Sequence, residues 1–346
     1  MNFTSDNAYG ASAEILAALV AANDGTVPSY GGDAITARLT ARFCEIFERE
    51  VAVFPVVSGT AANALALATL CPPYGAVLCH QESHIALDEC AAPEFFTGGA
   101  RLFGLPAADG KISPRPLEAA IALADELGVH HMKPAAVSLT QATEWGTVYG
   151  LRELSALTAV AKQHGLKVHM DGARFANALV HLGCSPAEAT WKSGVDVLSL
   201  GATKNGALCA EAVVFFNPAL AEEFERRRKR AGHLWSKLRF LSAQLLAYFQ
   251  DGLWLNNARQ ANAMASYLAQ GLQQVGGARL LQAVQANEIF AALPETLVAS
   301  LEKAGFQFYR WPLCPVADGA AIRLVTSYAT AGADVDAFIR AAHQLA

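Results

Sequence analysis

Short apolar runs alternate with longer amphipathic stretches through the middle of the chain, from residue 51 to residue 216. Apolar runs of this length are typical of strands that are buried on both faces of a sheet, and the amphipathic stretches are long enough to form helices. Strands that are joined by crossover helices lie parallel in one sheet. The alternation therefore predicts an α/β protein with a mainly parallel, doubly wound sheet.

The bounds of these elements follow from the same pattern and from capping residues. Ser58 is a natural N-cap for one helix, and Gly165 ends another. The predicted strands are residues 51–57, 76–80, 134–140, 167–170, 195–200 and 212–216, and the predicted helices are residues 58–70, 117–127 and 151–164.

The sequence changes character after Asp251 and Gly252. A long helix is predicted at 253–275, followed by strands at 288–293, 306–310 and 320–325 and a last helix at 335–346. The chain has 346 residues, and a domain has about 150 residues. We therefore predict a large domain of residues 1–250 and a small C-terminal α+β domain of residues 251–346.

The charge balance argues against a nucleic-acid partner. The chain has 26 Lys and Arg against 31 Asp and Glu, a net charge of −5, so no basic excess is available to neutralise phosphates. Only 16% of the residues are charged, against about 25% in a typical soluble protein. With the many alanines and glycines, this indicates that part of the surface is buried in a homo-oligomer.

The cysteines and the apolar stretches indicate the compartment. Seven cysteines are an odd number, and none forms a Cys-x-x-Cys pair, so neither a disulfide framework nor a zinc site is expected. No apolar stretch reaches the ~20 residues that a membrane span needs, and the N-terminus lacks the pattern of a signal peptide. We therefore expect a cytoplasmic protein that works under reducing conditions.

Three well-known signatures are incomplete in this chain. Residues 104–111 resemble a phosphate-binding loop, but Leu105 stands where its first glycine is needed and Ile112 where Ser or Thr is needed. His80 and His84 have the spacing of zinc-protease ligands, but the glutamate between them is misplaced and no third ligand is evident. No Gly-x-Gly-x-x-Gly motif follows a strand. We predict no metal site and no dinucleotide site.

The segment Ser-Gly-Thr-Ala-Ala-Asn at residues 58–63 lies at a predicted strand-to-helix junction. A helix N-terminus offers free backbone N–H groups and the positive end of the helix dipole. Gly59 allows close approach, and Thr60 adds a hydroxyl donor. The segment can therefore bind phosphate, although simple helix capping would also explain it.

Two further segments carry ionisable side chains just after predicted strands. His-Met-Asp-Gly-Ala-Arg at 169–174 puts Asp171 at a strand end, where ligands bind in open α/β sheets. Residues 199–206 put Lys204 directly after a buried strand. Taken alone, Asp171 could cap the next helix, and Lys204 could point into water beside an Asn205-Gly206 hairpin turn.

The order of the three segments favours a pyridoxal 5′-phosphate (PLP) enzyme. Such an enzyme needs a helix N-terminus for the phosphate, a carboxylate that keeps the pyridine nitrogen protonated, and a lysine that forms a Schiff base. The chain carries these parts in that order, at residues 58–63, 171 and 204.

These motifs resemble the low-specificity L-threonine aldolase family, whose members are PLP enzymes with the aspartate-aminotransferase-like fold, fold type I. The resemblance covers nearly the whole chain, and the segment HMDGARFANA at 169–178 is its most specific part. It implies a large domain with a mainly parallel sheet and a small C-terminal domain. The other matching segments are residues 4–7, 29–33, 58–63, the region of His84, residues 203–206 and 322–326.

The resemblance implies the ligands of the cofactor. Lys204 would form the Schiff base, and Asp171 would pair with the pyridine nitrogen. His84 would stack on the pyridine ring and lie near the substrate hydroxyl. The phosphate would be bound by Gly59, Thr60 and Lys229, the last from the basic run 226–230.

The resemblance also implies how a substrate would bind. Ser5 and Arg323 would hold its carboxylate, with Arg323 supplying a bidentate fork. Arg174 would lie near the cofactor O3′ and the same carboxylate. Tyr30 matches a tyrosine that family members often contribute from the neighbouring subunit, which implies a dimer that shares its active sites and assembles into a tetramer.

The chain departs from the family at Glu144. Many members carry a histidine there, near the substrate β-hydroxyl, in a Thr-His-Asn-Gly turn, whereas this chain reads Gln-Ala-Thr-Glu-Trp-Gly at 141–146. A carboxylate can serve as a base as well, so the base is His84, Glu144 or a bound water.

The resemblance implies retro-aldol cleavage of L-threonine, L-allo-threonine or a related β-hydroxy-α-amino acid such as phenylserine, which yields glycine and an aldehyde. Another PLP reaction on the same scaffold, β-elimination or transamination, stays open because a fold does not fix its chemistry. A binding module without catalysis is disfavoured by the retained lysine, aspartate and arginine.

Overall fold

Seven strands form the larger of two sheets in the computed structural model, which describes residues 1–314, 316–317 and 319–346. In chain order the strands are β1 (Ala52–Val56), β2 (Gly75–His80), β3 (Arg101–Leu105), β4 (Lys133–Thr140), β5 (Lys167–Gly172), β6 (Val197–Gly201) and β7 (Glu211–Phe215). Across the sheet they are ordered β1-β7-β6-β5-β4-β2-β3. Pairing is parallel from β3 to β6, and β7 is antiparallel to both of its neighbours. The predicted α/β fold with a mainly parallel sheet is confirmed.

Both faces of this sheet are packed. Leu198 and Val214 belong to one apolar cluster, whereas their neighbours Val197 and Val213 belong to another. Alternate side chains of a strand point to opposite faces, so each face has its own core. The helices of this part of the chain are α1 (Ala13–Ala22), α2 (Ala34–Ile46), α3 (Gly59–Leu70), α4 (His84–Leu87), α5 (Ala92–Thr97), α6 (Pro114–Leu127), α7 (Leu151–Gln163), α8 (Phe175–Leu182), α9 (Phe224–Arg230) and α10 (Arg239–Phe249).

A second, antiparallel sheet forms near the C-terminus. Its strands are β8 (Arg279–Leu280), β9 (Glu288–Leu293), β10 (Tyr309–Arg310) and β11 (Ala320–Val325), in the order β10-β11-β9-β8. The accompanying helices are α11 (Leu253–Leu272), α12 (Glu295–Lys303) and α13 (Gly332–Leu345). Phe3 from the N-terminus packs into this second core, with its ring centroid 5.5 Å from that of Phe338.

The predicted strand at 306–310 is wrong in extent, because only Tyr309 and Arg310 pair with β11. The backbone of Gln307 is hydrogen-bonded to the N-terminal segment instead. Its carbonyl accepts the N–H of Phe3 at 2.8 Å, and its N–H donates to the carbonyl of Met1 at 2.9 Å. The N-terminus therefore supplies pairing that the sequence pattern assigned to a longer strand.

Two sheets with separate cores are compatible with a chain of two domains. Helix α11 joins them, because Trp254 and Ala258 pack in the first core and Ala265 and Leu268 in the second. A boundary after residue 250 stays a prediction. Within the described residues, no helix combines the length and the apolar character that a membrane span requires.

Candidate active site

A cavity of about 290 Å³ lies beyond the carboxyl ends of the central strands. Strand β1 leads into it through Ser58, β4 through Thr140, β5 through Asp171 and β6 through Lys204. Most of the predicted site residues line this cavity together, namely Gly59, Thr60, His84, Glu144, Asp171, Arg174 and Lys204.

Helix α3 begins at one end of the cavity. Ser58 is in the extended conformation, and its hydroxyl accepts the N–H of Ala61 at 3.3 Å, so the predicted cap is present. A Cβ atom at Gly59 would have no other atom within 4 Å, which leaves open space in front of the helix N-terminus. The first N–H groups of a helix have no partner within the helix. This end of the cavity is therefore suited to a phosphate group.

Asp171 is the second-last residue of β5 and is only 4% exposed. Its Oδ1 accepts the N–H of Ala173 at 2.9 Å, and its Oδ2 accepts the side-chain amide of Asn63 at 2.7 Å. The bond to Ala173 is a local turn bond and not the helix cap considered above, because α8 begins at Phe175 with Arg174 as its N-cap and has no side-chain cap. Asp171 also lines the cavity, as its predicted role requires, and that role stays a prediction.

Asn63 connects Asp171 to His84 through Glu89, which was not predicted as a site residue. The same amide nitrogen donates to Oε1 of Glu89 at 2.9 Å, and Nδ1 of His84 lies 2.9 Å from that oxygen. The bond to Glu89 raises the pKa of His84 above its usual value, although burial acts in the opposite direction. Burial in turn raises the pKa of Glu89.

A metal ion is the other interpretation of these acidic side chains. One ligand atom each from His84, Glu89 and Asp171 lies within 4.8 Å of the others. However, the amide hydrogens of Asn63 are directed at both carboxylates, and a cation would have to displace them. The arrangement favours a hydrogen-bonded network.

Glu144 lies beside this network. Its Oε1 accepts the backbone N–H of His84 at 2.7 Å and the hydroxyl of Thr140 at 2.9 Å. Its Oε2 is buried and has no hydrogen-bond partner among the described residues. Burial raises the pKa of Glu144 to about 7, against the lowering effect of the two hydrogen bonds. The side chain therefore changes its protonation state near neutral pH.

Gly146 allows the turn that carries Glu144 to pack against the second sheet. Its φ is +69°, and a Cβ atom there would lie 3.1 Å from both Cβ and the carbonyl oxygen of Glu288. A larger residue would be strained by its conformation and by this contact.

Lys204 lies on the 3₁₀ turn Thr203–Asn205 that follows β6. Two hydrogen bonds fix the turn, because the side-chain amide of Asn205 donates to the hydroxyl of Tyr248 and to the carbonyl of Trp254, each at 2.8 Å. Glu211 accepts the N–H of Ala202 at 3.1 Å. The turn is longer than a two-residue hairpin, and it places Lys204 against the cavity.

Arg174 and Arg323 lie around a shared carboxylate. Arg174 makes a bidentate pair with Asp6, with its Nε 2.8 Å and its Nη2 3.0 Å from the two oxygens. Its Nη1 lies 3.2 Å from Oε2 of Glu288, and Nη1 of Arg323 lies 4.0 Å from Oε1 of the same residue. Asp6 and Glu288 were not predicted as site residues.

The remaining substrate ligands that were predicted do not line the cavity. Arg323 lies over the rings of Tyr309 and Trp311, and its Nη2 donates to the carbonyl of Thr4 at 3.2 Å. The hydroxyl of Ser5 accepts the N–H of Asn7 at 3.1 Å. Asn7 lines the cavity instead of Ser5.

Comparisons with known proteins agree with this geometry. Residues 2–295 match the beta-eliminating lyase family. A low specificity L-threonine aldolase from Pseudomonas aeruginosa is 47% identical over 89% of this chain and 88% of its own length, and one from another Pseudomonas strain is 45% identical over the same shares. A solved threonine aldolase structure from Leishmania major superimposes with a TM-score of 0.93 at 30% identity, over 99% of both chains.

The chain belongs to the low-specificity L-threonine aldolase family. The resemblance inferred from the motifs is therefore confirmed, and with it fold type I and a PLP-dependent lyase. The residues present fit that cofactor: a helix N-terminus for the phosphate, a strand-end carboxylate and a lysine meet in one cavity, with the imidazole of His84 at its wall.

Two of the predicted residues lie elsewhere on the chain. Tyr30 and Lys229 line a separate, open hollow, where the ammonium of Lys229 lies 4.7 Å from the centroid of the Tyr30 ring. Neither reaches the cavity of its own chain. The role of Tyr30 at a neighbouring subunit and the role of Lys229 at the phosphate both stay predictions.

Proposed function

We propose that this protein cleaves L-threonine, L-allo-threonine and related β-hydroxy-α-amino acids such as phenylserine to glycine and an aldehyde. The observation that carries the proposal is the carboxylate of Glu144, which lines the same cavity as Lys204 and Asp171 and has a buried oxygen without a partner among the described residues. Retro-aldol cleavage needs a base for the β-hydroxyl proton, and elimination of that hydroxyl does not.

Bound PLP would supply the electron sink of the reaction. Lys204 would hold it covalently, and the N–H groups at the start of α3 with the hydroxyl of Thr60 would bind its phosphate. Asp171 would keep the pyridine nitrogen protonated. The amide of Asn63 supports this role, because its bond to Oδ2 fixes the carboxylate in one orientation.

Arg174 is proposed to bind the substrate carboxylate, together with Arg323 and Ser5. A guanidinium has five N–H donors, and the hydrogen bonds to Asp6 use two of those of Arg174. Donors therefore remain on the cavity-lining arginine for a second carboxylate. Binding at that point would orient the Cα–Cβ bond for cleavage.

Glu144 is proposed to take the proton from the substrate β-hydroxyl. Its pKa of about 7 makes it a stronger base than an ordinary carboxylate while a large fraction stays ionised at neutral pH. The neighbouring imidazole of His84 would stack on the pyridine ring. Its Nδ1 lies 2.9 Å from the carboxylate of Glu89, which leaves Nε2 for contact with the substrate.

We also propose a homo-oligomer in which Tyr30 and Lys229 complete the cavity of a neighbouring subunit, within a dimer that assembles into a tetramer. Two features support the proposal: both residues lie in an open hollow away from their own cavity, and α1 exposes Leu16 by 47% and Val20 by 76%. Seven free cysteines support a cytoplasmic location.

A product assay tests the activity. The purified holoenzyme would be incubated with L- and D-threonine, L-allo-threonine and phenylserine, and aldehyde, glycine, ammonia and keto acid would be measured separately. We expect equal amounts of aldehyde and glycine from the L substrates. Release of ammonia and a keto acid without glycine would instead identify a β-eliminating enzyme.

A further inference from the structure

Glu288 stands at the start of β9 with an unusual environment for a carboxylate. It is only 2% exposed, and neither of its oxygens has a hydrogen-bond partner among the described residues. Its neighbours are two guanidinium groups, at 3.2 Å for Arg174 and 4.0 Å for Arg323. The carboxylate therefore acts on both arginines through its charge more than through directed bonds.

Asp6 interacts with the same arginine in a different way. It makes two short hydrogen bonds to Arg174 and accepts a third from the amide of Asn287 at 3.0 Å. Those bonds fix where the guanidinium lies. Because Asp6 already orients Arg174, orientation alone does not explain a second buried carboxylate at Glu288.

The charges of this group balance before a substrate arrives. Arg174 and Arg323 carry two positive charges, and Asp6 and Glu288 carry two negative ones. A substrate carboxylate that binds to Arg174 therefore enters a neutral cluster and meets the negative charge of Glu288 in a buried site, where like charges repel more strongly than in water. Without Glu288 the cluster would carry one net positive charge.

We propose that Glu288 is a residue of the carboxylate-binding site that weakens the affinity of the arginine pair for α-carboxylates. The inference rests on the proposed function, in which the product glycine keeps the carboxylate of its substrate. A strongly cationic site would hold that product as tightly as the substrate. The resident negative charge of Glu288 lowers the affinity for the carboxylate of glycine, so that the product can leave.

The test compares ligands with and without a carboxylate. Binding of glycine and of glycinamide to the PLP-loaded enzyme would be titrated through the visible absorbance of the cofactor. Glu288→Gln keeps the shape of the side chain and removes its charge. We expect the Kd for glycine to fall roughly tenfold, the effect of removing one nearby like charge, and the Kd for glycinamide to change less than twofold.

Two more variants separate charge from structure. Glu288→Met has a similar length and no charge, so it should tighten glycine binding as Glu288→Gln does. Glu295→Gln removes an exposed glutamate at the start of α12 that pairs with Arg310, and it should leave both dissociation constants unchanged. An effect of this control would point to long-range charge and count against the proposal.

The proposal is overturned if glycine binds with unchanged or weaker affinity to Glu288→Gln, since Glu288 would then only position the arginines. It is also overturned if glycine and glycinamide change in parallel, or if neither variant loads PLP, because both results indicate a structural role. A wild-type enzyme that binds glycine but releases no aldehyde from any substrate would contradict the proposed function, and the glycine comparison would still stand.

Discussion

The cavity has two sides that are built on different principles. On the cofactor side, Asp171 and Glu89 are held by the neutral amide of Asn63, and Glu89 in turn holds His84. On the arginine side, carboxylates and guanidinium groups pair directly. The first side comes from α3, α4 and β5 of the large sheet, whereas the second joins the N-terminal segment, the end of β5 and the second sheet.

The two kinds of contact have different effects: the neutral amide orients a carboxylate, whereas the ion pairs set the affinity for a charged ligand. Neutral donors fix a carboxylate without cancelling its charge, so the bond from Asn63 leaves Asp171 available for its proposed pairing with a pyridine nitrogen. In an ion pair each charge partly cancels the other. The affinity of the arginine side for a substrate carboxylate therefore depends on how many of its own carboxylates are ionised. We therefore expect changes on the cofactor side to lower kcat and changes on the arginine side to raise KM.

Lys204→Ala should have the largest effect, because the covalent attachment of the cofactor is lost. We expect no cleavage above background and no visible absorbance that borohydride can remove. The melting temperature of the apo-protein should stay near the wild-type value, because the side chain lies at the cavity wall and contributes little to the core. Lys192→Ala, at an exposed lysine paired with Glu48, is the matched control. Wild-type turnover in Lys204→Ala would exclude the cofactor assignment.

Asp171→Asn should lower kcat by roughly a hundredfold to a thousandfold, the usual effect of removing one electrostatic stabiliser of developing charge. The KM for threonine should change much less, because Asp171 lies on the cofactor side. Steady-state kinetics measure both constants. A large rise in KM with a normal kcat in Asp171→Asn would show that the cofactor side also sets substrate affinity, against the comparison drawn above.

Glu144→Gln should lower kcat/KM by roughly a hundredfold at pH 8, the scale of a lost general base. In the wild type the rate should rise with pH through about 7, because Glu144 must be ionised to accept a proton. This limb should be absent from the pH–rate profile of Glu144→Gln. Glu144→His should retain a limb near neutral pH, since imidazole titrates at about 6.5. One profile shared by all three proteins would exclude Glu144 from proton transfer.

Arg323→Ala should raise the KM for threonine by roughly thirtyfold, since a hydrogen bond between charged groups contributes about 2 kcal/mol. The kcat and the cofactor absorbance should be retained. Arg310→Ala removes an exposed arginine from the adjacent strand β10 and serves as the control. If KM does not change, Arg174 binds the carboxylate without Arg323.

Glu89→Gln should have the smallest effect on rate. The amide cannot stabilise a charged imidazole as a carboxylate does, so the raised pKa of His84 should fall. His84 would then lose its proton at a lower pH than in the wild type, as NMR titration of the histidines would show. Asp88→Asn changes an exposed residue on the same turn and should leave that titration unchanged.

Sequence reasoning found the parts of this site that are local. Gly59, Asp171 and Lys204 each follow directly after a buried strand, so a predicted strand end also placed the side chain. The carboxylates Asp6 and Glu288 have no such signal, because their contacts with Arg174 join segments far apart in the chain. Asp6 and Arg174, for example, are 168 residues apart.

The missed secondary structure has a similar explanation. Strand β3 lies at the edge of the large sheet and is mostly exposed, so Arg101–Leu105 lacks the apolar run that marked the central strands.

The burial of Glu144 could not be predicted from a sequence pattern either. Burial raises the pKa of this carboxylate to about 7, close to the value of about 6.5 for a free imidazole.

Helix α11 has a mechanical consequence for the two sides of the cavity. It has 20 residues, about 30 Å in length, and its first turn is tied to the lysine turn, because Asn257 donates to the carbonyl of Asn205 at 2.9 Å. Its far end is packed into the second core. The helix therefore connects the lysine turn to the second sheet. A small rotation of α11 about its N-terminal end would displace Glu288 and Arg323 relative to Lys204.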